Sequence, residues 1–268
     1  MPEKNGIAPG HPSWAELASP DPEVSKRFYE GLFGWSSYTL TTDIGDYEVF
    51  TLGGVQGPEA AGMQTLLDDT ERGSWTCYFR SDDIDSTVAA VREAGGLEVV
   101  EPTEVADLGR MALCSDPEGA EFALWYPYNL KGVGVVDEPA AMCWVELACH
   151  DTEGARRFYG HVFGWRPVDR DFYYESVYTQ WKVGESSVAG MVSIDELGPP
   201  GLRARWTPYF YVSDCDAAAA RATELGARVH IAPTDIKPGR FAILSDPTGA
   251  CVALFAPTVD LQAERVRP

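Results

Sequence analysis

RFYEGLFGW, residues Arg27 to Trp35, returns 130 residues later as RFYGHVFGW, Arg157 to Trp165. The rest of the chain repeats at nearly the same spacing. WTCYF at 75–79 returns as WTPYF at 206–210, and WAEL at Trp14 returns as WVEL at Trp144. GRMALCSDPEGAEFAL from Gly109 returns as GRFAILSDPTGACVAL from Gly239, and AGM at 61–63 returns at 189–191. The spacing drifts only between 128 and 131, so loops changed length while the core elements did not. Two copies of one domain follow, residues 14–127 and 144–257, with 1–13 and 258–268 as tails and 128–143 as a linker.

Each copy reads as an α+β domain. A short strand from Trp14 to Ala18 meets a Ser/Pro/Asp breaker, and the apolar spacing predicts a helix over Glu23–Leu32, with Phe28, Tyr29 and Leu32 on one face and Gly34 ending it. Strands at Tyr38–Leu40, Tyr47–Leu52 and Ala61–Leu67 complete a β-α-β-β-β unit. A second unit runs from the strand Trp75–Arg80 through a helix Ile84–Ala94, stopped by Gly95 and Gly96, to strands near Leu97–Val100, Met111–Cys114 and Glu121–Tyr126. The chain would hold four such units. Ser-Asp-Pro-x-Gly, at 115–119 and 245–249, fits a turn in which Pro fixes φ and Gly supplies a positive φ.

Composition narrows the function. With 41 acidic against 21 basic residues the net charge is −20, a surface that repels phosphate backbones and anionic lipid. Nucleic acid and membrane are not expected partners. The first residues, MPEKNGIAPGHPSW, lack the apolar run of a signal peptide, and a cytoplasmic location is expected. Six scattered cysteines with no CxxC pair read as buried thiols.

FYxxLFGW after the first strand, the aspartates opening the second helix of each copy (Asp83 and Asp214) and GR(F/M)A(I/L)xSDPxGA before the last strand resemble the glyoxalase, bleomycin-resistance and extradiol-dioxygenase superfamily, the vicinal-oxygen-chelate fold. The likeness is closest to its tandem bacterial branch labelled as hydroxylases. It implies that each copy curls into an open cup of mixed β-sheet with helices outside and ligand within. It also implies a divalent metal in members that do chemistry, held by about three or four His, Glu or Gln side chains. The matching positions here are Trp14, Thr76 and Ala123, and Trp144, Thr207 and Ala253. Indole nitrogen carries a hydrogen and cannot coordinate, so neither a metal nor another cofactor is expected. The four histidines lie in a tail (His11), a loop (His150), an external helix (His161) and near a turn (His230).

Alternation along the strands picks out the cup residues, since positions i and i+2 share a face. Glu16 and Glu146 should face the cups, two residues beyond the vacated positions. A partly desolvated carboxylate there could act as general base or bind a cation. The simpler role is to accept hydrogen bonds from a neighbouring Trp, Tyr or Arg. His150 is a candidate acid or base at a cup rim. Trp14, Tyr47, Thr76, Tyr78, Arg80 and Trp125 in the first cup, and Trp144, Tyr178, Thr207, Tyr209 and Tyr211 in the second, would contact ligand. Arg80 stands where the second copy has Tyr211, which would draw an anionic or carbonyl ligand to the first. Arg110 and Arg240 read as structural.

The expectation is a metal-independent member that takes a small aromatic or polyketide-like compound. It would be a tailoring enzyme of isomerase, cyclase or lyase type, or a sequestering protein, in secondary metabolism or resistance. A metal-dependent lyase or dioxygenase with relocated ligands, and a non-enzymatic interaction module whose cups are filled by their own aromatics, stand as alternatives. Monomer and homodimer are both compatible with an internal duplication.

Overall fold

The computed structural model describes residues 6–42, 45–66, 72–173, 176–197 and 202–261. The first copy runs β1 (Pro12–Ser19), α1 (Pro22–Phe33), β2 (Ser36–Thr42), β3 (Gly45–Thr51), β4 (Glu59–Thr65), β5 (Ser74–Arg80), α2 (Ile84–Glu93), β6 (Leu97–Val105), β7 (Gly109–Ser115) and β8 (Glu121–Pro127). The second runs β9 (Met142–Cys149), α3 (Thr152–Phe163), β10 (Arg166–Tyr173), β11 (Ser176–Val183), β12 (Ser186–Ser193), α4 (Ile194–Leu197), β13 (Arg205–Tyr211), α5 (Cys215–Glu224), β14 (Arg228–Ile236), β15 (Gly239–Ser245) and β16 (Cys251–Pro257).

Each copy forms one eight-stranded mixed sheet, ordered β2-β3-β4-β1-β5-β8-β7-β6 and β10-β11-β12-β9-β13-β16-β15-β14. β1 is parallel to β4 and β5 to β8, pairings that need the crossover helices α1 and α2, while β1 and β5 meet antiparallel at the centre. The helices are bounded as their sequence dictates. Asp21 caps α1 by accepting from the Val24 amide, Pro22 opens it, and Gly34 closes it at φ 69°, a left-handed turn that glycine adopts without strain. Asp151 and Gly164 repeat the arrangement on α3.

Strand alternation decides the layers. Ala15, Leu17, Cys77, Phe79, Phe122 and Leu124 point to the main core, and Trp14, Tyr78, Ala123 and Trp125 point into the first cup. The main core is continuous across both copies. Phe210 of β13 lies 5.3 Å from Phe33 and 5.2 Å from Trp35, and Phe79 of β5 lies 5.4 Å from Phe163 and 5.3 Å from Trp165. Reciprocal hydrogen bonds fix the register. Tyr29 donates to Asp246 (2.9 Å) and Tyr159 to Asp116 (3.0 Å), each phenol accepting in turn from the indole of Trp75 or Trp206. Trp35 donates to the Ala140 carbonyl and Trp165 to that of Gly10.

The structure departs from the sequence expectation in several places. The helices lie outside the cups as expected, and α1 also packs on α5 and α2 on α3 across the junction, because each needs a second apolar surface beyond its own sheet. The first strands begin at Pro12 and Met142, two residues before the conserved-looking tryptophans. The strand expected to reach Leu67 is β4, ending at Thr65, and Leu67 lies outside the described residues. The short helix α4 occurs in the second copy and was not foreseen. Part of the N-terminal tail is tied to β5, Gly10 donating to the Arg80 carbonyl and Arg80 to that of His11. The linker is packed too: Val133 donates to the Ser13 carbonyl and Gly134 to that of Glu59. His230 sits within β14, its Nε2 2.7 Å from Ser245 Oγ. All six cysteines are free thiols, five buried and Cys251 partly so.

Candidate functional site

Glu16 occupies the middle of β1, with Gly62 of β4 and Thr76 of β5 as its cross-strand neighbours. Tyr47 reaches over from β3 and donates its hydroxyl proton to Glu16 Oε2 at 2.8 Å, while accepting from Trp14 Nε1 at 2.9 Å. Tyr78 of β5 donates to the same carboxylate. The second cup repeats this atom for atom. Glu146 lies between Gly190 and Thr207, accepts from Tyr209 at Oε1 (2.6 Å) and from Tyr178, and Tyr178 accepts from Trp144 Nε1 at 2.8 Å. Each cup thus holds a Trp-Tyr-Glu-Tyr chain around one carboxylate.

Gly62 and Gly190 make the chain possible. A Cβ at Gly62 would stand 1.9 Å from the Tyr47 hydroxyl, and one at Gly190 would stand 1.7 Å from that of Tyr178. Any side chain there would push the phenol off its carboxylate. Sequence reading missed both glycines as site residues, although a usable signal existed: a glycine kept in both copies in mid-strand, where it otherwise weakens pairing, marks a close approach.

Both carboxylates are only 9% exposed. Burial pushes the Glu16 and Glu146 carboxyls up, and the two phenol donors offset part of that rise; Glu146 is raised to about 7. Tyr47, Tyr78, Tyr178 and Tyr209 are pushed well above the ordinary phenol range, first by burial and then by the adjacent carboxylate. At neutral pH the ionisable proton in the second cup is therefore the one on Glu146. The arrangement can take up or release a proton in an aromatic, low-dielectric space.

The other sequence candidates divide. Trp14, Tyr47, Tyr78 and Trp125 share the first cup, and Trp144, Tyr209 and Tyr211 the second. Thr76 and Thr207 face the carboxylates across the central strand pair. Arg80 is held by the N-terminal segment: its guanidinium donates to the Ile7 carbonyl and to Asp82, contacts that an anionic ligand of the first cup would have to compete with. His150 is not joined to either carboxylate. It stands 41% exposed just past β9, with Nδ1 2.7 Å from Asp195 and Nε2 3.1 Å from the Leu202 carbonyl, and Asp195 raises its pKa. Arg110 and Arg240 are structural, paired with Asp85 and Asp216 at the starts of α2 and α5.

The positions that the family resemblance implies for metal ligands carry other side chains. Trp14 and Trp144 spend their single N–H on tyrosine, and Ala123 and Ala253 lie in the cup walls with no donor. Among the described residues, no group of three or more His, Cys, Asp or Glu is placed to hold a metal ion. No helix among them is long and apolar enough to cross a membrane.

Chain that follows the last strand packs on both cups: Leu130 and Val133 lie against Trp125 and its neighbours in the first, where Trp125 donates to the Leu130 carbonyl at 3.0 Å, and Leu261 lies against the aromatic cluster of the second. At the second mouth a cavity of about 150 Å³ is lined by Asp137, Tyr211, Pro257, Val259, Asp260 and Leu261. A larger hollow of about 380 Å³ lies outside both cups, between Pro117 and α3.

Residues 11–124 match the sequence profile of the Glyoxalase/Bleomycin resistance protein/Dioxygenase superfamily, and residues 144–255 match that of the Glyoxalase-like domain. "Anthracycline biosynthesis protein DnrV" of Streptomyces peucetius is 38% identical over 259 residues, spanning 91% of this chain and 92% of that protein. CFP32 of Mycobacterium tuberculosis, named as a glyoxylase, is 32% identical over 261 residues, spanning 96% and 98%. Among solved structures, the 2,3-dioxygenase LapB from Pseudomonas sp. KL28 superposes with a TM-score of 0.63 at 15% identity, covering 94% of this chain and 93% of that one. The Mn(II)-bound glyoxalase from Novosphingobium aromaticivorans gives 0.63 at 14% identity, covering 94% and 84%. At such identities the structural likeness speaks for the fold alone.

Proposed function

Since the chain belongs to the glyoxalase, bleomycin-resistance protein and dioxygenase superfamily, we propose that its second cup binds a small polycyclic aromatic compound of secondary metabolism and moves a proton on it with Glu146. The observation that carries this reading is the Glu146 carboxyl: raised to about 7 by burial, held by two tyrosines and walled by aromatic side chains. A general base works best when its pKa lies near the working pH. Trp144, Tyr211, Phe241 and Phe255 offer flat apolar surfaces to a fused-ring ligand. Relatives named for anthracycline biosynthesis support the ligand class. Removal of a proton beside a carbonyl and its return elsewhere would be an isomerisation or cyclisation step, or the start of an elimination.

The reaction needs no metal on this reading. Tryptophan, threonine and alanine at the ligand positions do not fit a divalent cation, and Glu146 is already committed to two phenols. The first cup serves as scaffold on this reading: its carboxylate chain is intact, but both Leu130 and Val133 pack against its aromatics, where among the described residues after β16 Leu261 alone does so in the second.

Titration of the full chain with 1,4-dihydroxyanthraquinone, followed by tryptophan quenching, tests the ligand class. One saturable site that Tyr211→Ala weakens is expected; no saturable binding would overturn the proposal. Elemental analysis after exposure to iron, zinc, manganese and nickel tests metal independence, with less than about a tenth of an equivalent expected. A full equivalent would shift the reading to metal-dependent chemistry.

A further inference from the structure

We infer that the two tyrosines on Glu146 are not equivalent, and that Tyr209 is the catalytic residue that exchanges the proton with the ligand while Tyr178 only holds the carboxylate in place. The inference rests on the proton-transfer reading above and names the atom through which it runs.

The asymmetry lies in hydrogen-bond direction. An indole N–H can only donate, so the Trp144 contact takes up the accepting side of the Tyr178 oxygen. Tyr178 must then point its own proton at Glu146 at all times. Tyr209 carries no such lock: its hydroxyl donates to Glu146 Oε1, and its ring belongs to the aromatic cluster of the second cup. Its place on β13 agrees. Thr207, Tyr209 and Tyr211 alternate onto one face, Thr207 opposite Glu146 and Tyr211 on the wall of the mouth cavity. Tyr209 therefore stands between the mouth and the carboxylate, whereas Tyr178 approaches from β11 across Gly190.

A balanced step follows. With Glu146 ionised, a proton leaving a ligand C–H or O–H bond joins the Tyr209 oxygen as the phenol's original proton passes to Glu146 Oε1. The electron pair of the broken bond stays on the ligand as an enolate or phenolate, and Glu146 becomes neutral. The carboxyl O–H now donates to Tyr209, whose proton is turned toward the cup and can be returned to another ligand atom. No oxidant or further reactant is needed. The titratable groups facing Glu146 are Tyr178 from β11 and Tyr209 from β13, and Cys251 at the start of β16 acts on Tyr209. The first cup has the same design, with Trp14 locking Tyr47 and leaving Tyr78 free.

The test is deuterium exchange of the acidic α-hydrogens of 2-tetralone in D2O with the full chain, followed by proton NMR across pH 5–9. All proteins carry Glu16→Gln, so that the second cup alone reports. Tyr209→Phe and Tyr178→Phe each take one hydroxyl from the same carboxylate, and because Tyr178→Phe also removes the acceptor of the Trp144 indole, urea unfolding of both is measured beside the exchange. Tyr209→Phe should lower the saturated exchange rate about 100-fold with little change in KM, the size of a lost proton-transfer group. Tyr178→Phe should move the pH profile upward, because one donor to the carboxylate is gone, and should lower the saturated rate at least about tenfold less than Tyr209→Phe does. Equal losses in the two variants, or full exchange in Tyr209→Phe, would overturn the inference and leave Glu146 as the base. Exchange no faster than in Glu146→Gln would overturn the proton-transfer reading itself.

Discussion

Two hydrogens on one carbon decide whether the carboxylate chain can form. Gly190→Ala would place a methyl 1.7 Å from the Tyr178 hydroxyl, so the ring must swing away and Glu146 loses a donor. We expect a loss of about 1–3 kcal/mol of stability from overpacking, visible in urea unfolding. Glu146 also sets a pH dependence. Its folded carboxyl pKa lies above the ordinary value, at about 7 against 4.5, so the native state binds more protons than the unfolded chain between those values. Stability from this group is therefore full at low pH and falls as pH rises through that window, by about 3 kcal/mol in all. Unfolding of Glu146→Gln should lack this fall, and the difference between the two proteins measured from pH 5 to 8 is the check; parallel curves would refute it. Much of the site was legible at this scale. Period-two alternation puts Glu16, Glu146 and the aromatics Trp14, Tyr47, Tyr78, Trp125, Trp144, Tyr209 and Tyr211 on the cup faces. The contacts of Arg80 and His150 were not legible, because their partners, Ile7 and Asp195, come from segments whose positions no local pattern encodes.

The repeated motifs act through helices and turns, and their task is largely to join the copies. Tyr29 and Trp35 of FYxxLFGW, and the aspartate of SDPxG, meet their counterparts' elements across the junction. Asp116 accepts from the Ala120 and Glu118 amides, closing its own turn, and from Tyr159 of α3. Tyr159→Phe strands this buried acceptor and the Trp206 N–H together, which costs about 1–3 kcal/mol; Tyr29→Phe should behave alike through Asp246 and Trp75. Denaturation of both variants checks this, and a change within error of zero would show that water replaces the phenol. Helix limits were readable because caps and closing glycines are local signals: Glu23–Leu32 was expected and Pro22–Phe33 is found. The single turn α4 follows β12, and its matching positions after β4 fall mostly outside the described residues, so the repeat carries no signal for it.

At the scale of the whole molecule, the duplication makes the domain interface pseudo-symmetric, and the second copy with the end of its linker carries both sides of it. Tyr159 and Asp246 are the two halves of the junction hydrogen bond; Trp165 and the Ala140 carbonyl are donor and acceptor of the other. Phe210, Phe163, Trp165 and Trp206 supply the aromatic layer that the first copy now covers. Residues 136–268 produced alone would expose that layer, an apolar face too large to stay in water. Its most direct cover is a twin in the same pose: Tyr159 of one would meet Asp246 of the other, and each Trp165 would meet the twin's Ala140, an isologous two-fold contact. We expect this fragment to elute as a dimer, with the contact insensitive to salt because it is aromatic rather than ionic. Added residues 1–135 should displace one twin and restore a one-to-one complex, since the natural junction has been shaped by both sequences. Analytical ultracentrifugation of the fragment, alone and with its other half, decides the matter. A folded monomeric fragment would mean that the second cup is self-sufficient, and that the aromatic layer orients the first copy rather than supporting the second.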